Sequence, residues 1–110
     1  MASETGLLPV IINLAGQTRI NEVVWADENV ESFEQLAASF YTSLRHNIPE
    51  FYLESGERTI TKMWVEWNQG GGNFLPMETE IHEGNLRAVL RILAMRRGVD
   101  MIRVWLNEID

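Results

Sequence analysis

The sequence predicts an α+β domain: a mixed sheet with its helices on one face. Three observations predict it. Short β-rich runs are interrupted by two stretches of helical periodicity, which stand among the strands instead of alternating with them one for one. The chain has 110 residues, 45% hydrophobic and 23% charged, the composition of one globular domain. It has no cysteine, so one apolar core must hold it without disulfides, which a chain of this size can do. The expected organisation is a single domain over 1–110, with residues 1–7 as a loose lead.

The first run, Pro9 to Leu14, and the second, Ile20 to Trp25, flank a short turn at Ala15-Gly16-Gln17 and read as a hairpin. Asn29 to Arg45 places Val30, Phe33, Leu36, Ala37, Phe40, Tyr41 and Leu44 at spacings of three and four, the pattern of an amphipathic helix. Ser32 followed by Gln35 resembles a capping box, with Glu31 and Glu34 near the positive end of the helix dipole. Asn47 and Pro49 close it, because proline disfavours helical geometry in the residue before it. Phe51, Tyr52 and Leu53 are expected to pack, and Glu54 to Glu57 to turn.

Thr59 to Trp67 is rich in β-formers and predicts the third strand. Asn68 to Asn73, with three glycines, turns the chain, and Phe74 to Met77 is expected to return as a short strand, with Pro76 placing it at an edge or strand end. Glu83 to Arg97 predicts the second helix through Leu86, Val89, Leu90, Leu93 and Ala94. Arg96 and Arg97 sit in its last turn and Gly98 takes the left-handed cap. Met101 to Leu106 predicts the last strand.

Alternation along these strands sends Val10, Ile12 and Leu14, Met63, Val65 and Trp67, and Ile102, Val104 and Leu106 toward the helices. The opposite face then receives Ile11 and Asn13, Lys62, Trp64 and Glu66, and Met101, Arg103 and Trp105. With neighbouring strands paired, Trp64, Trp105 and Ile11 are expected to meet there, with Arg103 and Lys62 beside them. Each tryptophan carries on the order of 150–250 Å² of buriable surface, so the group reads as an interface unless a bulge or a chain end covers it.

The order strand, strand, helix, strand, strand, helix, strand (ββαββαβ) is that of the ubiquitin-like β-grasp fold, and in particular resembles the PB1 interaction module. The resemblance implies parallel pairing of the first and last strands at the sheet centre. Residues Trp67-Asn68-Gln69-Gly70-Gly71-Gly72-Asn73 and Ile81-His82-Glu83-Gly84-Asn85-Leu86 look like the acidic cluster of that family. Trp67, Glu83 and Leu86 match in kind, whereas Asn68, Asn73 and Asn85 stand where acids are expected. The lysine of the basic type is missing from Val10 to Leu14.

The formal charge of −7 is unevenly placed. Residues 1 to 57 carry nine acids and two arginines, while the remainder is balanced. Asp27, Glu28, Glu31 and Glu34 form an acidic face, and Arg87, Arg91, Arg96 and Arg97 a basic helix face suited to an acidic partner or a second copy. The overall charge disfavours phosphate backbones, although the basic face leaves nucleic acid open. The apolar stretch from Leu7 to Leu14 contains Pro9 and Asn13 and follows Glu4 without a basic residue, so it reads as a strand, and an intracellular protein with no membrane partner is expected. Glu78, Glu80 and His82 alternate onto one side if extended, but no second histidine lies near, so neither metal nor cofactor is expected. Gly70-Gly71-Gly72 lacks the Gly-Lys-Ser/Thr ending of a phosphate loop, and no Gly-x-Ser-x-Gly occurs. The expected function is therefore protein binding, self-association included, without catalysis. The alternative is a small acidic inhibitor, viral or mobile-element in type, occupying the basic site of a nucleic-acid-handling protein.

Overall fold

The computed structural model of the chain describes residues 6–16, 20–54, 56–68 and 77–107. Strands β1 (Leu7–Leu14) and β2 (Asn21–Asp27) form the antiparallel hairpin, with Leu7 level with Asp27 and Asn13 with Asn21. Both reach further than their apolar runs. Leu7 opens β1, and before it Gly6, with φ +70°, accepts at its carbonyl from the Glu28 N–H at 2.7 Å; residues 1–5 of the expected loose lead lie outside the described residues.

Helix α1 (Phe33–Leu44) begins later than the apolar pattern, because Ser32 is extended and its Oγ accepts from the Gln35 N–H at 3.1 Å. The Gln35 amide oxygen returns to the Glu31 N–H at 2.9 Å, one residue before the capping serine. Glu31 thus lies outside the helix and only Glu34 stands in its first turn. The chain then makes two 3-10 turns, Arg45–Asn47 and Glu50–Leu53, separated by Pro49 and the extended Ile48, so the succession is not a bare ββαββαβ. Ile48 and Leu53 supply the packing here. Phe51 is largely exposed, against expectation, and the Tyr52 side chain and Ser55 lie outside the described residues.

Strand β3 (Ile60–Glu66) pairs with β4 (Glu78–Ile81) and with β5 (Met101–Leu106), both antiparallel. Its register shifts between Ile60 and Lys62. Ile60 and Met63 are both buried although an odd number of positions separates them, so an extra residue is needed to keep both in the core. The return strand β4 runs Glu78–Ile81; of the expected Phe74 to Met77, Met77 is exposed and its carbonyl accepts from the Trp67 N–H at 3.1 Å, and 69–76 lie outside the described residues. Helix α2 (Leu86–Met95) is shorter at both ends than its pattern. Asn85 spends its side chain backward, accepting from the His82 N–H and donating to the Glu80 carbonyl, each at 2.8 Å. Beyond the helix Arg97 has φ +57° and Gly98 φ +80°. A β-carbon on Gly98 would stand 3.2 Å from the Pro9 carbonyl oxygen, which explains glycine in that left-handed position.

The result is an α+β fold with one five-stranded mixed sheet, in the order β2-β1-β5-β3-β4. Only β1 and β5 are parallel, Ile11 lying level with Met101 and Leu14 with Val104. Val10, Ile12, Val24, Met63, Val65, Ile81, Ile102 and Val104 join Leu36, Phe40 and Leu44 of α1 and Leu86, Leu90 and Leu93 of α2 in one core. Both helices therefore cover the same face. Among the described residues no helix is long and apolar enough to cross a membrane.

One polar clasp ties α1 to the approach of β3. The Arg45 guanidinium meets the Glu57 carboxylate at 3.0–3.1 Å, and the Tyr41 hydroxyl donates to the same carboxylate at 2.5 Å while accepting from the Arg58 N–H at 3.1 Å. Arg45, then Tyr41, hold the Glu57 carboxyl below its ordinary pKa, and desolvation followed by Glu57 raises that of the Tyr41 hydroxyl. A carboxyl depressed in the folded state stabilises it above the unfolded pKa, and that contribution disappears as pH falls through the folded value. Glu57→Gln is expected to lower the melting temperature at pH 7. The difference from wild type should shrink as pH falls from about 4.3, the ordinary glutamate value, through the lower folded value. Thermal unfolding followed across pH 2–7 checks this, and a constant difference would contradict it.

Candidate functional site

The face of the sheet turned away from the helices is a grid whose rows follow from the strand register. One row runs Val23, Ile11, Met101, Glu66, Glu78; the next runs Asn21, Asn13, Arg103, Trp64, Glu80; and Lys62 pairs with Trp105 beyond it. On the other side of the first row Trp25 lies level with Pro9. The five expected interface residues thus share one face, but they do not form one cluster.

Trp64 and Trp105 lie at the β3–β5 end, and both are half-buried. The Lys62 ammonium stands 5.9 Å from the centre of the Trp105 ring, and Arg103 pairs with Glu66 at 3.0 Å. Arg103 Nε is buried with no hydrogen-bond partner among the described residues. Ile11 lies level with Met101, four residues from Trp105 on β5, a separation of about 13 Å at the usual rise per residue. The expected meeting of Ile11 with the tryptophans is therefore corrected by register. Asn13 lies between the two groups on the open face, as expected, but is only 5% exposed, its amide donating to the Ile20 carbonyl at 3.2 Å and to Asn21 Oδ1 at 2.8 Å.

Ile11 belongs instead to an apolar group at the β2 edge. Trp25 is 62% exposed, Val23 67% and Ile11 38%, with Leu7 and Pro9 exposed on β1 and Val99 exposed just before β5. The strand residues among these line the β2–β1 half of the open face, and the β5–β3–β4 half holds Trp64 and Trp105 among charged side chains. The hairpin had left β2 without a chosen face. The usable signal was Ala26 followed by Asp27: with Val24 and Ala26 inward, Val23 and Trp25 must point outward.

The basic helix face is divided by the fold. Arg96 turns back onto Asp100, Nε to Oδ2 at 2.7 Å, with its guanidinium 6.0 Å from the centre of the Trp67 ring. Arg91 meets Glu28 at 3.1 Å within the same chain, while Arg87 and Arg97 are exposed. The acids are likewise partly engaged: Asp27 accepts from the Asn29 N–H at 2.8 Å, Glu28 holds Arg91, and Glu31 and Glu34 are exposed. The docking of arginines on acids expected between copies is met in part inside one copy.

The PB1-like positions serve internal ends as well. Trp67 is buried and donates to Thr79 Oγ1 at 2.8 Å, Asn68 donates its N–H to Asp100 at 2.7 Å, and Glu83 accepts the Phe33 N–H at 2.8 Å, capping α1 from across the molecule. Asn73 lies outside the described residues. No three histidine or acidic side chains among the described residues gather to hold a metal ion, and His82 Nδ1 accepts from the Gly84 N–H at 3.1 Å.

A groove of about 450 Å³ runs between α1 and the start of β3, lined by Phe33, Ala37, Tyr41 and Ile60 with Glu34 and Thr42. It brings one carboxylate and three hydroxyl side chains, those of Tyr41, Thr42 and Thr59, to an otherwise apolar wall. That is a shape for packing a side chain, with no paired acid and base. Compared with known families, with curated proteins and with solved structures, the chain matches none, and its own surface is what speaks to function.

Proposed function

We propose that this chain is a protein-binding domain, self-association included, that works through the open face of its sheet, without catalysis or cofactor and inside the cell. The observation that carries the reading is the exposed apolar group at the β2 edge, with Trp25 and Val23 at its centre. Exposed tryptophan beside aliphatic side chains, with charges to one side, has the core-and-rim composition of an interface. The sheet order β2-β1-β5-β3-β4 with a parallel β1/β5 centre supports a ubiquitin-like β-grasp assignment and leaves the PB1-type charge pairing without its residues. Arg87 and Arg91 of α2 form a lesser contact, reduced by the bond to Glu28. The same bond weighs against the acidic-inhibitor alternative, because it removes Glu28 from a continuous free acidic surface.

The expected result is a mass in sedimentation that rises with protein concentration, and a Trp25→Ser variant that associates at least tenfold more weakly. The variant should keep its circular dichroism spectrum and melt within about 2 °C of wild type, since substitutions at exposed positions cost little. Association unchanged by Trp25→Ser would refute binding through this face.

A further inference from the structure

Strand β2 is an edge of the sheet, and the geometry points to its use: we infer that β2 pairs antiparallel with β2 of a second copy, joining two sheets into one across a two-fold axis. This rests on the reading of the chain as a protein-binding domain and names its partner and its contact.

Hydrogen bonding shows which groups are offered. The Leu14 N–H donates to the Ile20 carbonyl at 3.0 Å. In an antiparallel ladder the bonded pairs alternate, so Ile20, Glu22, Val24 and Ala26 bond β1, and the backbone groups of Val23 and Trp25 point outward, while the Asp27 carbonyl accepts from the Val30 N–H at 3.1 Å. Among the described residues the Val23 N–H reaches only the neighbouring Glu22 carboxylate, at 3.3 Å. Proteins usually guard such an edge with lysine, proline, a bulge or short length. β2 has seven residues, no lysine or proline, and an unbroken register with β1. The opposite edge, β4, has only four residues.

The strand is complementary to itself in one register. With the axis at Val24, Val23 faces Trp25 of the second copy, Asn21 faces Asp27, and Glu22 faces Ala26. The outward backbone groups of Val23 and Trp25 then meet those of the second copy, no acid lies opposite an acid, and each tryptophan packs on a valine. Sliding by two residues in one direction moves Trp25 from Val23 to Asn21; sliding in the other puts Val23 opposite Asp27. A slide of one residue sets outward groups against groups already bonded. The charge of the first half opposes the union of two copies, so salt should strengthen it by screening. Docking of α2 arginines on acids would show the reverse dependence.

The test uses the full chain, with sedimentation at 0.05 and 0.5 M NaCl and amide hydrogen exchange. The expected result is a reversible dimer that tightens with salt, slower exchange at the Val23 and Trp25 amides as concentration rises, and at least tenfold weaker pairing in Val23→Pro. Proline keeps an apolar ring on the face, removes the outward N–H and is tolerated on an edge strand. If Val23→Pro still dimerises while Trp25→Ser does not, the copies stack by their faces: edge pairing is overturned and the binding reading stands. If neither variant changes the dimer, both fall. A wild-type monomer at about 1 mM overturns the second copy as partner. Should Val23→Pro not fold, the wild-type exchange data decide, and amides whose exchange ignores concentration overturn the pairing.

Discussion

Asp100→Ala is expected to reduce the free energy of unfolding by about 2–4 kcal/mol. Asp100 is 2% exposed, in the turn between α2 and β5. Its carboxylate accepts from Arg96 Nε at 2.7 Å and Nη2 at 3.0 Å and from the Asn68 N–H at 2.7 Å. Arg96 Nη2 also donates to the Asn68 carbonyl at 2.8 Å, so one guanidinium and one carboxylate tie the end of β3 to the α2–β5 turn. Removing the carboxylate takes the acceptor from a part-buried N–H and leaves a partly sheltered cation without its counter-charge, the costly way to break such a pair. Asp100→Asn keeps an acceptor and should lose less. Urea unfolding is the measurement, with a lowered midpoint at unchanged slope expected. The melting temperature should fall by roughly 10–20 °C, and a shift of under about 3 °C would show that the network contributes little.

Phe40→Ala is expected to cost about 3–5 kcal/mol, comparable with much of the 5–15 kcal/mol that holds a domain of this size. Phe40 is fully buried in the middle of α1, between Leu36 and Leu44 on the face that meets the sheet. Alanine there leaves a void that a close-packed interior cannot fully close. Phe40→Leu should cost about 1.5 kcal/mol or less because most of the volume returns. Denaturant titration of both variants checks the pair, and equal losses would mean that the site depends on the aromatic ring and not on its volume.

The core was legible because it follows from periodicity. Val10, Ile12, Val65, Val104, Leu36, Phe40, Leu90 and Leu93 all lie inward as their spacing requires, since the burial period of a strand or helix is set by its own backbone. The return strand β4 was not legible. Only Thr79 and Ile81 of its four residues face inward, and Glu78-Thr79-Glu80 carries the polarity of a turn. The bulge in β3 left no mark either, because Thr61 suits a strand whether or not it is paired.

The surface was legible by face and not by neighbour. Alternation placed Ile11, Lys62, Trp64, Arg103 and Trp105 on one side of the sheet, and the structure agrees. Which of them touch depends on the stagger between strands distant in sequence, and that stagger set Ile11 beside Val23 and Met101. It also left Trp25, a residue of the first hairpin, as the most exposed aromatic side chain on that face. The arginines divide in the same way. Their spacing on α2 is local, but Arg96 is drawn to Asp100 and Arg91 to Glu28 by partners that only folding brings within reach.

By itself, then, the sequence determined the α+β class, the two helices, the inward residues of β1, β3 and β5, and the excess acid of the first half, because each follows from local spacing or counting. The tertiary structure alone decided the strand order, the edge position of β2, the distance between its exposed apolar group and the half of the open face where charges flank Trp64 and Trp105, and the pairing that uses up part of the basic helix. The physical reason is common to all of these: register and ion pairing are settled by packing between segments far apart in the chain, where no local pattern records the outcome.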